Sequence, residues 1–313
     1  MLLNVLKQLG RSIAVFLVVT FVTFALMYGN GWGIASSALG IGATDESIQA
    51  KMVQLGLDRP LLVQYGEWLF NVLTGDLGRS FYSGQEVTAA LATRVPVTLS
   101  VVIPALILTA LISVLLGVTA AVKGGTTDRF VQVLSVAGTA IPSFIIAIAL
   151  VFAFAINWRI FPATGYVPFD VDPTLWVLSI ALPMLSLLIG AVAGGAQQFR
   201  TAMLDTLGND YVRTLRARGM KEGPIIFQHA LRNAAAPGLT VVSLTTLSLL
   251  GGAVFVEQVF ALPGLGKLSV ESAKSSDVPM VMGTVLVFTL IVLIVNFASD
   301  LAIQALNPKA RAR

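Results

Sequence analysis

The chain has 313 residues, of which 56% are hydrophobic and only 12% charged, with 20 Lys and Arg against 16 Asp and Glu. Soluble domains carry about 25% charged residues, so too few polar side chains are present to coat a globule of this size. Together with a mean hydropathy of +0.85, this excludes a soluble enzyme, a nucleic-acid-binding domain and a disordered chain. Cysteine is absent and His229 is the single histidine, which removes disulfides, thiolate metal sites and histidine-pair metal centres. The fold class that remains is an all-α polytopic membrane protein.

About 20 apolar residues cross a hydrocarbon core. Six stretches approach or exceed that length without an internal charge: Ser12–Tyr28, Pro96–Val122, Phe130–Ile156, Thr174–Ala196, Ala235–Val256 and Met280–Ser299. The first has a basic start at Lys7 and Arg11, but it is longer than a signal-peptide core and Ala35-Ser36-Ser37 matches a cleavage site only loosely, so it reads as an uncleaved span. The outer loop that follows, from about Asn30 to Val95, carries its own helix signals. Thr44-Asp45-Glu46-Ser47 caps a helix through Leu55, and Gly56-Leu57-Asp58-Arg59-Pro60 reads as a stop and turn. A second amphipathic helix runs from Pro60 to Leu73, ended by Gly75-Asp76-Leu77-Gly78. The region forms an outer cap, either a docking surface or a lid over the span ends.

Pro104, Pro142 and Pro183 fall inside spans two, three and four, where membrane helices tolerate proline. They read as packing kinks, with a hinge as the alternative. Gly190 and Gly194 form a G-x-x-x-G in span four and Gly251-Gly252 sit in span five, and small residues of this kind read as close-packing seams. Basic residues set the orientation. With the N-terminus in the cytoplasm, six spans return the C-terminus there, and thirteen of the 20 Lys and Arg fall on the cytoplasmic side against seven outside.

Between spans four and five lies a long segment, Gln197–Asn233. Asn209 or Asp210 caps a short helix with Tyr211, Leu215 and Ala217 as a partial apolar stripe, and Gly219 ends it. Arg213, Arg216 and Arg218 crowd its last turns, where cations suit the helix dipole. Pro224 then opens a second helical piece over Ile225–Leu231. Two short helices of this kind make a platform for a cytoplasmic partner, with lipid head groups as the alternative contact for the arginines. His229 reads as a hydrogen-bonding anchor of that platform.

Asp210-Tyr211-Val212-Arg213-Thr214-Leu215-Arg216-Ala217-Arg218-Gly219, followed by His229-Ala230-Leu231-Arg232-Asn233-Ala234 and Pro237, resembles the coupling loop of ABC-importer permeases in the dipeptide, oligopeptide and nickel branch. That branch usually reads D-Y-V-R-T-A-R-A-K-G and then H-A-L-R-N, so Leu215 and Arg218 are small departures. Arg213-Thr214-Leu215 stand where other importers have Glu-Ala-Ala, as is usual in this branch. Gly251 to Gly266 resembles the segment after span five, and Gly56 to Pro60, Gln64-Tyr65 and Gly75 to Gly78 resemble the first outer loop. The likeness extends from span one to Asn307-Pro308. The family's Pro-Gly-Asp-Pro after span one is replaced by Gly29-Asn30-Gly31-Trp32.

The resemblance implies the type I ABC importer transmembrane fold, with about six transmembrane helices. Its parts would be an N-terminal helix at 1–30, an extracytoplasmic region at 31–93, a transmembrane domain at 94–307 containing the coupling loop 197–233, and a cytoplasmic tail at 308–313. It implies a permease subunit forming half of a pathway for di- or oligopeptides or similar small solutes, embedded in the bacterial inner membrane with both termini cytoplasmic. Nickel chelates and glutathione stay open as solutes. Asp210, Tyr211, Arg213, Thr214, Arg216, Ala217, Arg218 and Gly219 would contact the ATPase subunits. The implied partners are a second related permease, two ATP-binding subunits and an extracytoplasmic binding protein, with lipid around the spans and no nucleic acid. ATP and Mg would be bound by the partners, and this chain would hold no cofactor and carry no catalytic residue.

Pro263-Gly264-Leu265-Gly266-Lys267 is a turn rather than a phosphate-binding loop, because that motif needs Gly at 261 and Ser or Thr at 268, where Ala261 and Leu268 stand. An ion-coupled secondary transporter usually carries acidic groups at mid-membrane depth, and none of the six stretches has one, with Glu257 and Asp300 at span ends. A channel would leave the platform unexplained. An intramembrane enzyme would need a base beside hydroxyls such as Ser113 or Ser243, and none accompanies them.

Overall fold

Apolar runs of this length can satisfy their backbone groups in hydrocarbon only by coiling into helices, and among the described residues every regular element is helical. The computed structural model describes residues 2–40 and 42–306; the side chains discussed are those of residues 7–40, 42–234 and 243–303. The predicted tail at 308–313, with Lys309, Arg311 and Arg313, and the Asn307-Pro308 pair lie outside the described residues.

In chain order the helices are α1 (Leu2–Tyr28), α2 (Gly31–Leu39), α3 (Asp45–Gln54), α4 (Leu61–Thr74), α5 (Val87–Lys123), α6 (Gly125–Ala140), α7 (Ser143–Leu150), α8 (Pro173–Leu207), α9 (Asp210–Ala217), α10 (Glu222–Pro224), α11 (Leu231–Val259), α12 (Leu265–Lys274) and α13 (Val278–Leu306). Wide π-type turns extend α7 over Val151–Asn157 and join α10 to α11 over Ile225–Ala230. Among the described residues, four helices are long and apolar enough to cross a membrane: α1 over Lys7–Tyr28, α5, α8, and α13 over Val278–Ile303. The pair α6–α7 makes a fifth if its two arms are one span, and α11 adds the shorter apolar segment Ser243–Val259. The protein is thus an all-α, multi-pass membrane protein.

The third predicted span is not one straight helix. Its arms meet at a bend of 95°. Ile141, immediately before Pro142, is extended at φ −97° and ψ 119°, the conformation that a following proline ring favours. Pro104 and Pro183, by contrast, stay inside continuous helices α5 and α8. Only Pro142 coincides with a break.

The chain divides into two compact units, Met1–Thr98 with Leu262–Ile291, and Leu99–Ala261 with Val292–Arg313. In the first, Phe24, Ile34, Ile48, Leu57, Val278 and Met282 form a buried core edged by Tyr28, Tyr65 and Trp68. Thr44 caps α3 by accepting from Ser47 N, and α4 occupies the predicted second amphipathic stretch. The helix α2 was not evident in the sequence, because its two glycines are poor helix formers. It is nucleated by Asn30, whose side chain accepts from Gly33 N at 3.0 Å. Asp277, before α13, accepts the Ser80 hydroxyl and the Phe81 N–H, the latter at 3.0 Å, which fixes the loop ahead of α5.

The predicted turn at 263–267 is likewise only half a turn, since Leu265 opens α12. Leu265 is fully buried and its N–H donates to Thr98 Oγ1 at 2.8 Å. A phosphate could not claim that donor.

In the second unit, α8 packs against α6, α7 and α11. A Cβ added at Gly138 of α6 would lie 2.6 Å from Ala193 Cβ of α8, so only glycine permits this approach, and Gly190 of the predicted seam lies on the same contact. Asp128 of α6 and Arg200 of α8 form an ion pair, their side chains 19% and 16% exposed. Gln132 Nε2 also donates to Asp128, at 2.9 Å.

Candidate functional site: the connection between α8 and α11

The segment predicted to carry function, Gln197–Asn233, is divided by the structure. Gln197–Leu207 continues α8, α9 stands alone, and residues from Glu222 onward form one continuous helix into α11. The second predicted short helix is therefore the widened beginning of a long one. Pro224 sits in its first turn, where a missing N–H costs no hydrogen bond, and backbone helix continues through Pro237.

Helix α9 begins at Asn209 in an extended conformation, without a side-chain cap, and Asp210 places a carboxylate at the positive end of the helix dipole. Its end is a Schellman motif: Gly219 N donates to Arg216 O at 2.9 Å and Met220 N to Leu215 O at 3.2 Å. That closure needs a left-handed residue after the last turn, and Gly219 has φ +76°. The glycine stop read from the sequence is where the structure has it.

The apolar stripe differs from the prediction. Val212 is the residue of α9 that is fully buried, whereas Tyr211 is 37% exposed and Ala217 is also exposed. Helical geometry places residues 212 and 215 on one face, and α9 turns that face toward the π-turn segment, where Ile225 and Ala230 are fully buried. Below it, Val118 of α5, Met203 of α8, and Ile226, Ala230 and Ala234 form a continuous buried cluster. The π-turn beneath α9 is thus packed against α5 and α8 at the start of α11.

Three polar links hold its outer surface. Arg216 donates to Glu222 through both Nε (2.7 Å to Oε1) and Nη2 (3.1 Å to Oε2), closing the loop across Gly219. This pair holds the Glu222 carboxyl below its usual range and raises the Arg216 guanidinium, chiefly through the hydrogen bonds. Asp210 accepts from Arg213 Nη1 at 3.3 Å. Asn233 Nδ2 donates to Tyr211 Oη at 2.9 Å, joining α9 to α11. His229, predicted as the anchor, is half-buried on the π-turn, and beyond it Asn233 supplies a side-chain bond to α9. Thr214 bonds back to Asp210 O at 3.0 Å within α9.

Of the predicted site residues, Asp210, Tyr211, Arg213, Thr214, Arg216, Ala217, Arg218 and Gly219 thus lie together on α9 and its C-terminal turn, and all are exposed. Phe227, 68% exposed, and Met220, 36% exposed, add apolar groups from the adjoining turns. The result is a basic surface with apolar points, suited to docking and lacking any nucleophile–base pair. Among the described residues no cluster of His, Asp or Glu could hold a metal.

Two family descriptions match the chain. "Binding-protein-dependent transport system inner membrane component" matches residues 113–312, and its N-terminal companion matches residues 1–102. A putative peptide transport system permease protein of Brucella abortus (strain 2308) is 38% identical over 308 residues, 98% of each chain. The dipeptide transport system permease protein of Bacillus subtilis (strain 168) is 34% identical over 309 residues, 98% of this chain and 97% of that one. Among solved structures, a chain of the inward-facing MetNI methionine ABC transporter is similar over 70% of this chain and 97% of its own, with a TM-score of 0.55 at 21% identity. That likeness establishes a shared fold.

Proposed function

The chain belongs to the binding-protein-dependent transport system inner membrane components, and from that membership we propose that it is a permease subunit of an ATP-driven importer for di- or oligopeptides. The observation that carries the docking role is α9: a short basic helix with a closed C-terminal turn, seated on buried Val212 and presenting Asp210, Arg213, Arg216 and Arg218 outward. It would receive the movement of a pair of cytoplasmic ATP-hydrolysing subunits through Asp210–Gly219 and pass it to α8 and α11, to which it is joined by the short turns at 208–209 and 218–221. ATP and Mg would be held entirely by those subunits.

The pathway would lie between this chain and a second related permease, with an extracytoplasmic binding protein delivering solute. The excess of Lys and Arg in the connection carrying α9 supports a cytoplasmic placement of that face and of both termini in the inner membrane. Ion coupling is disfavoured because none of the uncharged stretches carries an acidic residue at mid-depth: Asp128 stands just before Phe130–Ile156 and is paired with Arg200, and Glu257 and Asp300 stand at span ends. The peptide substrate follows from the names of relatives aligned over nearly the whole chain.

Mass spectrometry of the intact complex, purified through a tag on this chain, tests the assembly. Recovery of a second permease, ATPase subunits and a binding protein is the expected outcome. Recovery of this chain alone, under conditions that preserve comparable complexes, would overturn it.

A further inference from the structure

Beside the break between α6 and α7 lies a cavity of about 440 Å³, bounded by α8 and α11. Its polar lining comes from Thr139, Ser143, Gln198, Thr245 and Ser248, and among the described residues no charged one contributes. The break itself adds main-chain groups. Pro142 has no N–H to give the carbonyl of Gly138; its own carbonyl accepts from Ile145 N at 3.0 Å, and the N–H groups of Ser143 and Phe144 have no acceptor within their own helix. Pro142 supplies no side-chain cap to them. The break falls near the middle of an uncharged stretch, Phe130–Ile156, that is long enough to cross the membrane.

Irregular backbone at such depth is tolerated where it is covered by protein or lines a water-filled space. The cavity is the open space adjoining this break. We infer that this cavity is the part of the solute passage contributed by this subunit, and that it engages a peptide through hydrogen bonds to its main chain. The inference rests on the importer reading above.

Hydroxyl, amide and backbone groups can each pair with the N–H and C=O units that every peptide carries. An uncharged lining gives no preferred partner to acidic or basic side chains, so the site would pass peptides with little regard to sequence. A second cavity in this unit, lined by Ile112, Leu116, Val131, Leu134 and their neighbours, is almost wholly apolar, with Ser135 as the one side-chain hydroxyl among its described lining residues.

The absence of native cysteine permits a direct test in the assembled transporter. Ser143→Cys and Ser248→Cys would each be reacted with a charged, membrane-impermeant methanethiosulfonate. Leu115→Cys on α5 and Ile294→Cys on α13, exposed apolar positions outside the cavity, serve as references. The cavity positions are expected to react at least tenfold faster, and their modification is expected to abolish ATP-driven uptake of trialanine without lowering ATPase activity. Equal reaction rates in a complex that takes up trialanine would overturn the passage and leave the importer reading standing. Fast reaction in an intact complex that never takes up trialanine, or any other small peptide, would instead overturn the peptide assignment of both site and subunit. Two cavity positions are used so that misfolding of one variant does not decide the outcome.

Discussion

Asn233 Nδ2 lies 2.9 Å from Tyr211 Oη, and this bond ties the exposed helix α9 to the start of α11. A bond of this kind contributes about 1 kcal/mol, close to a fivefold change in an equilibrium. Tyr211→Phe keeps the ring and removes the acceptor. The variant should assemble and insert normally but take up about fivefold less solute per ATP hydrolysed, measured in proteoliposomes with binding protein present. Unchanged uptake per ATP would show that the bond does not carry movement between α9 and α11.

Gly219 is held at φ +76° with nothing within 4 Å of where a Cβ would stand. A substitution there meets no clash, and its cost comes from the backbone alone. A left-handed conformation costs an ordinary residue about 1–2 kcal/mol, most for β-branched side chains. Gly219→Val should therefore open the Schellman turn and impair substrate-stimulated ATPase activity and uptake, while Gly219→Asn, which tolerates this region, should retain most of both. Equal activity of the two variants and the wild type would rule out a coupling role for this turn.

Much of the outer cap and of the α9 platform was legible in the sequence because their signals are local. The Thr44 cap, the stop at Gly75, the start near Asn209 and the stop at Gly219 each depend on residues within one helical turn. What the sequence left unseen depends on contacts between distant segments. The Asp128–Arg200 pair joins residues on two helices, Asp277 holds Ser80 from far along the chain, and Val212 is buried because of what packs over it. Tyr211 looked equally apolar but carries a hydroxyl that reaches Asn233, which turns it outward. The bend at Pro142 was one of three possible proline sites, and composition alone does not separate it from Pro104 and Pro183.

The Arg216–Glu222 bridge gives a pH signature. Its Glu222 carboxyl is held below the usual glutamate range by the Arg216 hydrogen bonds. A group with a depressed folded value contributes above its unfolded value and loses that contribution as pH falls through the folded one. The closure across Gly219 should thus be constant through neutral pH and weaken only on acidification below the ordinary glutamate range. Both side chains are solvent-exposed, so salt should weaken the bridge as well. Protection against hydrogen exchange at Gly219 and Met220, taken relative to the intrinsic rate at each pH, should fall in acid for the wild type and be already lowered at neutral pH in Glu222→Gln. Identical neutral-pH exchange in the two proteins would mean that the bridge does not hold the turn.

The Asp128–Arg200 pair joins α6 to α8 with both side chains mostly shielded. Arg200 approaches through Nε and through Nη2, the latter 2.7 Å from Asp128 Oδ2, a forked geometry that lysine cannot reproduce. Removing one partner leaves the other charge without compensation, whereas removing both relieves that cost. Thermal stability in detergent should therefore fall in Arg200→Lys, fall further in Arg200→Gln and in Asp128→Asn, and recover part of the loss in Asp128→Asn/Arg200→Gln relative to either of the last two alone. Additive losses in the double variant would show that the two residues act separately. Because this pair sits one turn beyond Ala196 and near the close contact of Gly138 with Ala193, its loss should also loosen the α6–α8 seam. That effect would be read as faster thiol modification at Ser135→Cys on α6.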